Sequence, residues 1–260
     1  MKYVITSGWW CNNNELDTRE KLLGDNLIRE KKFFDKWYDA VKSYTNPKKI
    51  LIVDSNSPIK PELPDDELLE FVSLDENAGH STNHSGKYCG YTRAIFTGMG
   101  YAISCNVDYW VYVEQDALVY GDSIIENAIS NMNDDFMFGS GKGTPQILQQ
   151  SLIVMKTSFI PTFLSNYSKI KATDNKVSPE IKFAISCSNY AKVYTYLMNS
   201  RYSIANRLGL KLIKHFLRKM IDETALPFGF GRARPIDFSE KNYYFQHGTL
   251  EEIELYENNK

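Results

Sequence analysis

The sequence predicts an α/β fold with a mostly parallel central sheet flanked by helices. Three observations carry that expectation. Tyr109 to Val113 is a run of aromatic and β-branched residues, the composition of a strand buried on both faces. Lys49 to Asp54 (Lys-Ile-Leu-Ile-Val-Asp) has the same character, and segments with helical spacing of apolar residues stand between such runs. The run at Tyr109 then stops at Glu114-Gln115-Asp116, so two carboxylates stand at its end. The carboxyl end of a central strand is where open α/β sheets bind ligands, and acids two apart can both reach a hard cation through oxygen.

In chain order, Tyr3 to Thr6 reads as a first strand ending in Ser7-Gly8 before Trp9 and Trp10. Small and hydroxyl residues there suit either a loop that touches a nucleotide or a plain turn. Glu15 to Asp25 is polar, a loop or a short helix. Leu27 to Tyr44 has helical spacing in Phe33, Phe34, Trp37, Tyr38 and Val41 and stops at Asn46-Pro47. The second strand closes on Asp54, and a third, Glu70 to Leu74, leads into a polar loop from Asp75 to His84. His80, His84 and Cys89 invite a zinc reading. The residues between the histidines are poor helix formers and no fourth ligand follows, so a substrate-side loop is the better expectation.

Gly86 to Ser104 is expected as a helix, with Tyr91, Ala94, Ile95, Met99 and Ala102 on its buried side and Lys87 and Arg93 in its early turn. After the acidic motif, Asp122 to Met132 reads as helix and Asp134 to Gly139 as strand. Gly139-Ser-Gly-Lys-Gly-Thr144 is not a phosphate loop, because Phe136 stands where the first glycine belongs and Gly143 follows Lys142. Ser151 to Met155 returns to strand and Ile160 to Tyr167 to helix. Ser178-Pro179-Glu180 has the signature of a helix start, with serine as cap, proline first and an acid in the first turn. Ser203 to Ile221 is basic and amphipathic: Ile204, Leu208, Leu212, Ile213, Phe216, Leu217 and Met220 form a stripe, with Arg207, Lys211, Lys214, Arg218 and Lys219 mostly off it. Such a helix either rests on an anionic leaflet or packs on the core with its charged face in water. The tail combines Pro227-Phe-Gly-Phe-Gly-Arg-Ala-Arg-Pro235 with an aromatic strand, Tyr243-Tyr-Phe-Gln, that ends at His247.

At 260 residues the chain can bury a substantial core, and it reads as one domain, 1–260. A net charge of −2 argues against nucleic acid as a general partner. Four scattered cysteines, Cys11, Cys89, Cys105 and Cys187, form no Cys-x-x-Cys pair and fit a reducing, cytoplasmic setting. The amino terminus opens on a strand without the apolar segment of a signal peptide, and no apolar run approaches the roughly 20 residues of a membrane span.

On Glu114-Gln115-Asp116 the sequence resembles the metal-dependent nucleotide-sugar glycosyltransferases of the GT-A fold, a Rossmann-like architecture. Their Asp-x-Asp motif ends a strand and binds Mn²⁺ or Mg²⁺ with the donor's diphosphate; here glutamate replaces the first aspartate. The resemblance implies a nucleotide-sugar half, 1–121, and an acceptor half, 122–260, with a closing carboxyl-terminal segment. It implies Asp116 and His247 as metal ligands, with Glu114 direct or through water. Thr6 and Ser7 would face the nucleotide. Asp54 would accept from its base, or else cap a turn with Ser55 and Asn56. Arg93, Arg232 and Arg234 would face the diphosphate, and Gln146 and Gln149 the acceptor's hydroxyls. Glu180 would take the acceptor's proton, or else only complement its helix dipole. The implied reaction moves a sugar from a UDP- or GDP-sugar to a hydroxyl of a glycan or glycolipid, with inversion if Glu180 is the base and retention if no acid serves. Peripheral membrane contact would run through 203–221. A sugar nucleotidyltransferase would carry a glycine-rich basic loop after the first strand, which Ser7-Gly8-Trp9-Trp10 is not. A non-catalytic carbohydrate-binding or scaffold protein of the same fold is the rival from another class. A glycoside hydrolase needs acids flanking a bond from two sides, which two acids on one strand end do not offer.

Overall fold

The structure, a computed structural model, describes residues 1–12, 22–200 and 203–260, with only the backbone of 203–212. The elements run β1 (Tyr3–Trp9), α1 (Phe33–Tyr44), β2 (Lys49–Asp54), β3 (Leu69–Ser73), a short hairpin of β4 (Gly79–His80) and β5 (Asn83–His84), α2 (Gly90–Ser104) and β6 (Tyr109–Val113). They continue with β7 (Ala117–Tyr120), α3 (Ile124–Ser130), β8 (Phe136–Ser140), β9 (Leu148–Lys156), α4 (Ile160–Lys169), α5 (Pro179–Cys187) and α6 (Ala191–Asn199). Last come α7 (Ser203–Glu223), β10 (Phe230–Gly231), β11 (Tyr243–Gln246) and α8 (Leu250–Asn259).

The main sheet has six strands in the order β3-β2-β1-β6-β9-β8. β3, β2, β1 and β6 are mutually parallel, while β9 runs antiparallel to both β6 and β8. This is the mixed α/β class expected, a largely parallel sheet between helical layers. Alternation along each strand builds a core on either face. Tyr3 and Ile5 of β1 with Val111 and Val113 of β6 face α1, α3 and α8; Val4, Trp110 and Tyr112 face α2, α4, α5 and α7. Each large apolar side chain taken fully out of water contributes about 1.5–3 kcal/mol before entropy is charged against it.

β1 extends three residues past the expected Thr6, because Ser7, Gly8 and Trp9 continue the parallel ladder opposite Ile52, Val53 and Asp54. Helix α2 lies directly on this strand. A Cβ on Gly98 would come within 2.6 Å of Thr6 Oγ1, so glycine lets helix and strand approach. The expected helix from Leu27 divides: Asp25 caps a 3-10 turn, Asn26–Arg29, by accepting from the Leu27 amide at 2.8 Å, and an extended Glu30 ends it before α1 begins. The part of the Glu15 to Asp25 expectation up to Lys21 lies outside the described residues.

A second sheet, β10-β11-β7, was not anticipated. β7 begins as soon as the acidic motif ends and pairs antiparallel with β11, Ala117 opposite Gln246 and Tyr120 opposite Tyr243. α8 packs on it. Its capping box joins Thr249 and Glu252, and Tyr256 Oη donates to the Val119 carbonyl at 2.8 Å. In α7, Ile213, Leu217 and Ile221 are buried in the core while Phe216, Lys214, Arg218 and Lys219 are exposed. The side chains of Ile204, Arg207, Leu208, Lys211 and Leu212 lie outside the described residues. No helix among the described residues is long and apolar enough to cross a membrane.

Candidate functional site

The register of the second sheet decides the site. Because Ala117 stands opposite Gln246, the residue before β7 and the residue after β11 meet: His247 Nε2 lies 3.3 Å from Asp116 Oδ2. The acid that follows the central strand and the imidazole near the carboxyl terminus are therefore in contact, half-buried, with side-chain exposures of 14% and 19%. His247 has a left-handed backbone, φ 57°, as it turns from β11 into the cap of α8. Gly24 packs on that turn; a Cβ there would fall 2.6 Å from the His247 carbonyl, and the Asp25 amide donates to the Gly248 carbonyl at 2.9 Å.

Glu114 stands beside this pair. Its amide donates to the Ser151 carbonyl of β9, and its carbonyl accepts from the Ala117 amide, so a tight turn carries the chain from one sheet to the other. Gln115 fastens the neighbouring strand end: its Oε1 accepts from the Trp10 amide at 2.6 Å and its Nε2 donates to the Trp10 carbonyl at 3.0 Å. The motif's middle residue thus binds the end of β1 to the end of β6.

The residue the sequence reading passed over is Gln246, which is 1% exposed. Its Nε2 donates to Glu114 Oε2 at 2.7 Å and to Asp116 Oδ1 at 3.0 Å, and its Oε1 accepts from Arg232 Nε at 3.1 Å. Arg234 Nη2 donates to the Gln246 carbonyl at 2.9 Å and pairs with Glu252. Its place at the end of an aromatic strand, next to the histidine already singled out, was the available signal. The Arg232 amide is in turn held by Gln149 Oε1, and Gln149 Nε2 donates to the Ser140 and Phe230 carbonyls. Gln149 is buried and committed to these backbone groups rather than open to a sugar hydroxyl.

Charge here is unevenly matched. Burial, then the Asp116 charge beside it and that of Glu180, push the Glu114 carboxyl up to about 8, against the pull of Arg232 and Gln246. Burial, joined by the positive charges of Arg232, Arg29 and Arg234, pushes His247 down to about 4, and Asp116 opposes this. A raised Glu114 carboxyl, Asp116, an imidazole kept neutral and the positive charges of Arg232, Arg234 and Arg29 therefore act on one another across this cluster. Glu180, in the first turn of α5, is near enough for its charge to reach both Glu114 and Tyr91. Ser178 stands at the cap position of α5, but its hydroxyl makes no capping bond.

The other expected residues have partners within the fold. Thr6 is fully buried beneath α2 and its Oγ1 accepts from Trp110 Nε1 at 2.9 Å. Ser7 is buried with its hydroxyl on the Gly8 carbonyl. Asp54 is fully buried, and both of its oxygens are used: Oδ1 accepts from the Ser57 amide and hydroxyl, Oδ2 from Lys60 at 2.9 Å and Ser73 at 2.8 Å. That is the turn-capping alternative, made through Ser57 rather than Ser55 or Asn56. Arg93 pairs with Glu76 at 2.7 Å and donates to the Tyr88 carbonyl.

Two carboxylates and an imidazole nitrogen are a donor set for a hard divalent cation. The 3.3 Å between Asp116 Oδ2 and His247 Nε2 is close to the roughly 3 Å that separates neighbouring ligands around such an ion. Among the described residues no three His, Cys, Asp or Glu side chains converge on a single point, since the Gln246 amide stands between Glu114 and Asp116.

No protein-family model and no curated protein sequence matches the chain. Solved structures do. A mannosyltransferase from Pyrobaculum calidifontis, in complex with GDP-Man and Mn²⁺, is 9% identical over 86% of this chain and 73% of its own, with a TM-score of 0.42. TarS residues 1–349 from S. aureus, in complex with UDP, is 12% identical over 85% and 72%, TM-score 0.43. A putative glucose-1-phosphate thymidylyltransferase from Bacillus anthracis is 8% identical over 99% and 94%, TM-score 0.39. At such scores the likeness identifies neither a family nor a reaction.

Proposed function

We propose that the chain is a metal-dependent glycosyltransferase of the GT-A type, moving a sugar from a UDP- or GDP-sugar to a hydroxyl of a glycan or glycolipid. The observation that carries the reading is the contact of Asp116 with His247, from strand ends far apart in sequence. Asp116 and His247, with Glu114, would hold Mn²⁺ or Mg²⁺. When bound, such an ion supplies Lewis-acid stabilisation of charge on the departing diphosphate. A neutral imidazole is ready to coordinate without first losing a proton.

The chain's own groups divide the remaining work. Arg232 and Arg234, joined by Arg29 at the edge of the same cluster, place positive charge where a diphosphate would lie. Gln115 keeps the ends of β1 and β6 in fixed relation, so a nucleotide seated on one meets the acids of the other. Glu180 is the group assigned to accept the proton of the attacking hydroxyl, and direct displacement then inverts the anomeric centre. Product-anomer NMR reads this; a retained configuration removes Glu180 from the role. Cytoplasmic location belongs to the same reading. A lipid-linked acceptor would bring the exposed Lys214, Arg218 and Lys219 of α7 toward an anionic leaflet. Flotation with anionic vesicles checks that contact, and a variant neutralised at these three positions that floats equally well removes it.

The decisive experiment is a thermal-shift screen of UDP, GDP, CDP and ADP, each with and without Mn²⁺. A ligand at 100 times its Kd adds about 2.7 kcal/mol, roughly 5–10 °C in Tm for a chain of this size. The expected result is a rise of that order for one base, and only with metal. Shifts independent of Mn²⁺, or none with any nucleotide, would remove the reading.

A further inference from the structure

Helix α6 is apolar on every side. Its nine residues carry a single charge, Lys192. Ala191 and Thr195 are buried, and Tyr194 and Met198 pack against the core, so the helix already has an inner face. The opposite side holds Val193, Tyr196 and Leu197, with Tyr190 one turn before them, exposed to 55%, 75%, 41% and 66%. At 3.6 residues per turn these four share an arc of about 120°. A surface helix ordinarily turns charge outward, and one that is apolar all round is covered on both sides. The same part of the chain is basic. From Ile160 to Glu223, which is α4 through α7, the sequence carries eleven basic residues and four acidic ones, in a chain of net charge −2. Among those acids Asp174 is buried against Lys182. Lys169 and Lys171 stand at the carboxyl-terminal end of α6, where Asn199 donates to the Lys169 carbonyl at 2.8 Å and accepts from the Lys171 amide at 2.9 Å. Lys192 is exposed at its start, and α7, which packs on α6, exposes Lys214, Arg218 and Lys219.

We propose that α6 docks on an anionic lipid bilayer: Tyr190, Val193, Tyr196 and Leu197 enter the headgroup layer while the basic residues around them meet the lipid phosphates. This goes beyond an electrostatic approach of α7, because it names side chains that leave water. Charge complementarity chooses the occupant. Tyrosine suits a membrane interface, its ring turned inward and its hydroxyl in water. Basic residues flanking an apolar helix face are what an anionic leaflet attracts. A second copy of the chain would bring two basic faces together, and they repel. A nucleic acid would satisfy the lysines but give Val193 and Leu197 nothing apolar to pack on. The place of α6 also names the acceptor. Helix α5, nine residues and roughly 13 Å long, holds Glu180 in its first turn and hands the chain to α6. A hydroxyl attacking beside Glu180 is thus about one short helix away from the docked face, which suits an acceptor held by a lipid anchor. That last step rests on the glycosyltransferase reading.

The test uses the full chain as wild type, as the triple variant Val193→Gln, Tyr196→Gln, Leu197→Gln, and as Tyr196→Trp. Cosedimentation compares vesicles of phosphatidylcholine with vesicles that are about a third phosphatidylserine. Wild type should bind the anionic vesicles more tightly than the neutral ones by about tenfold or more. The triple variant should bind them about tenfold more weakly than wild type, since it loses the inserted apolar surface, and its Tm should be unchanged because the three side chains are exposed. Tryptophan emission of Tyr196→Trp should shift to the blue with anionic vesicles and be quenched by brominated lipid beyond the wild-type background, which reads insertion rather than adhesion. Equal binding by wild type and triple variant, or no binding by wild type, overturns the docking face. So does a wild-type dimer in sedimentation velocity that the triple variant abolishes, which gives the stripe to a second copy, and so does tighter binding of poly(U) RNA than of vesicles. A Tyr196→Trp spectrum indifferent to vesicles overturns it too, and decides alone if the triple variant does not fold. The nucleotide screen reads separately: its failure with vesicle binding intact removes only the lipid-held acceptor, and its success without vesicle binding removes only the membrane face.

Discussion

Asp116→Ala is expected to remove Mn²⁺-dependent stabilisation by nucleoside diphosphates and to lower sugar transfer by about 10²–10³-fold, the cost of losing one group that stabilises charge in the transition state. The metal-free protein should lose nothing. After burial, the Asp116 charge is the next cause holding the Glu114 carboxyl up, and removing it lets Glu114 ionise at lower pH while Gln246 keeps it as an acceptor. The variant's Tm without metal is accordingly equal to or above that of wild type. A structural role for Asp116 gives the opposite sign. His247→Ala should reproduce the ligand effect, since the two side chains meet at 3.3 Å on one point. Differential scanning fluorimetry with and without Mn²⁺ and the matching diphosphate reads all of this. An Asp116→Ala protein that keeps the wild-type metal-dependent shift sinks the proposed centre.

The parts of this site that a sequence can show are those whose physics is local. Tyr109 to Val113 reads as a buried strand because both faces are apolar, and the acids that stop it are visible for the same reason. His247 is visible because an aromatic strand ends on it. Gln246 is not, because its meaning depends on the register of β11 against β7, and β7 is four residues that look like the tail of the preceding strand. Thr6 and Asp54 show the converse. A hydroxyl and an acid near strand ends look available in one dimension, yet Thr6 lies under Gly98 of α2 and Asp54 is surrounded by Ser57, Lys60 and Ser73. Helix α8 is short and charged, with weak periodicity of its own, and it is fixed by tertiary contacts such as Tyr256 with Val119. Lys182 is hidden for a similar reason: a lysine in a helix is ordinarily a solvated one.

Lys182→Met is expected to destabilise the protein by about 3–5 kcal/mol, the cost of breaking a buried ion pair by removing one partner. Lys182 Nζ lies 2.7 Å from Asp174 Oδ1 with both side chains fully buried, and it also donates to the Ala172 carbonyl. Asp174 Oδ2 accepts from the Cys89 amide and the Thr92 hydroxyl, each at 2.8 Å, so the carboxylate caps the start of α2 while its other oxygen reaches α5. Burial pushes the Asp174 carboxyl up, but the bonds from Lys182, the Cys89 amide and Thr92 together outweigh it and hold the group below its ordinary value. A carboxyl depressed in the folded state contributes stability above the unfolded value of about 3.9 and loses it as pH falls through the lower folded value. Urea unfolding at pH 7 should therefore show the full deficit of Lys182→Met, and the gap to wild type should narrow on acidification below about pH 4. Adding Asp174→Asn restores a neutral cap that still accepts from Cys89 and should recover most of the loss at pH 7. Because α5 carries Glu180 two residues before Lys182, the single variant should also lower turnover more than its stability at assay temperature explains, and the double variant should return it. A single variant as stable as wild type at pH 7 would show that the carboxylate is satisfied by Cys89 and Thr92 alone and that α5 is held by its apolar face.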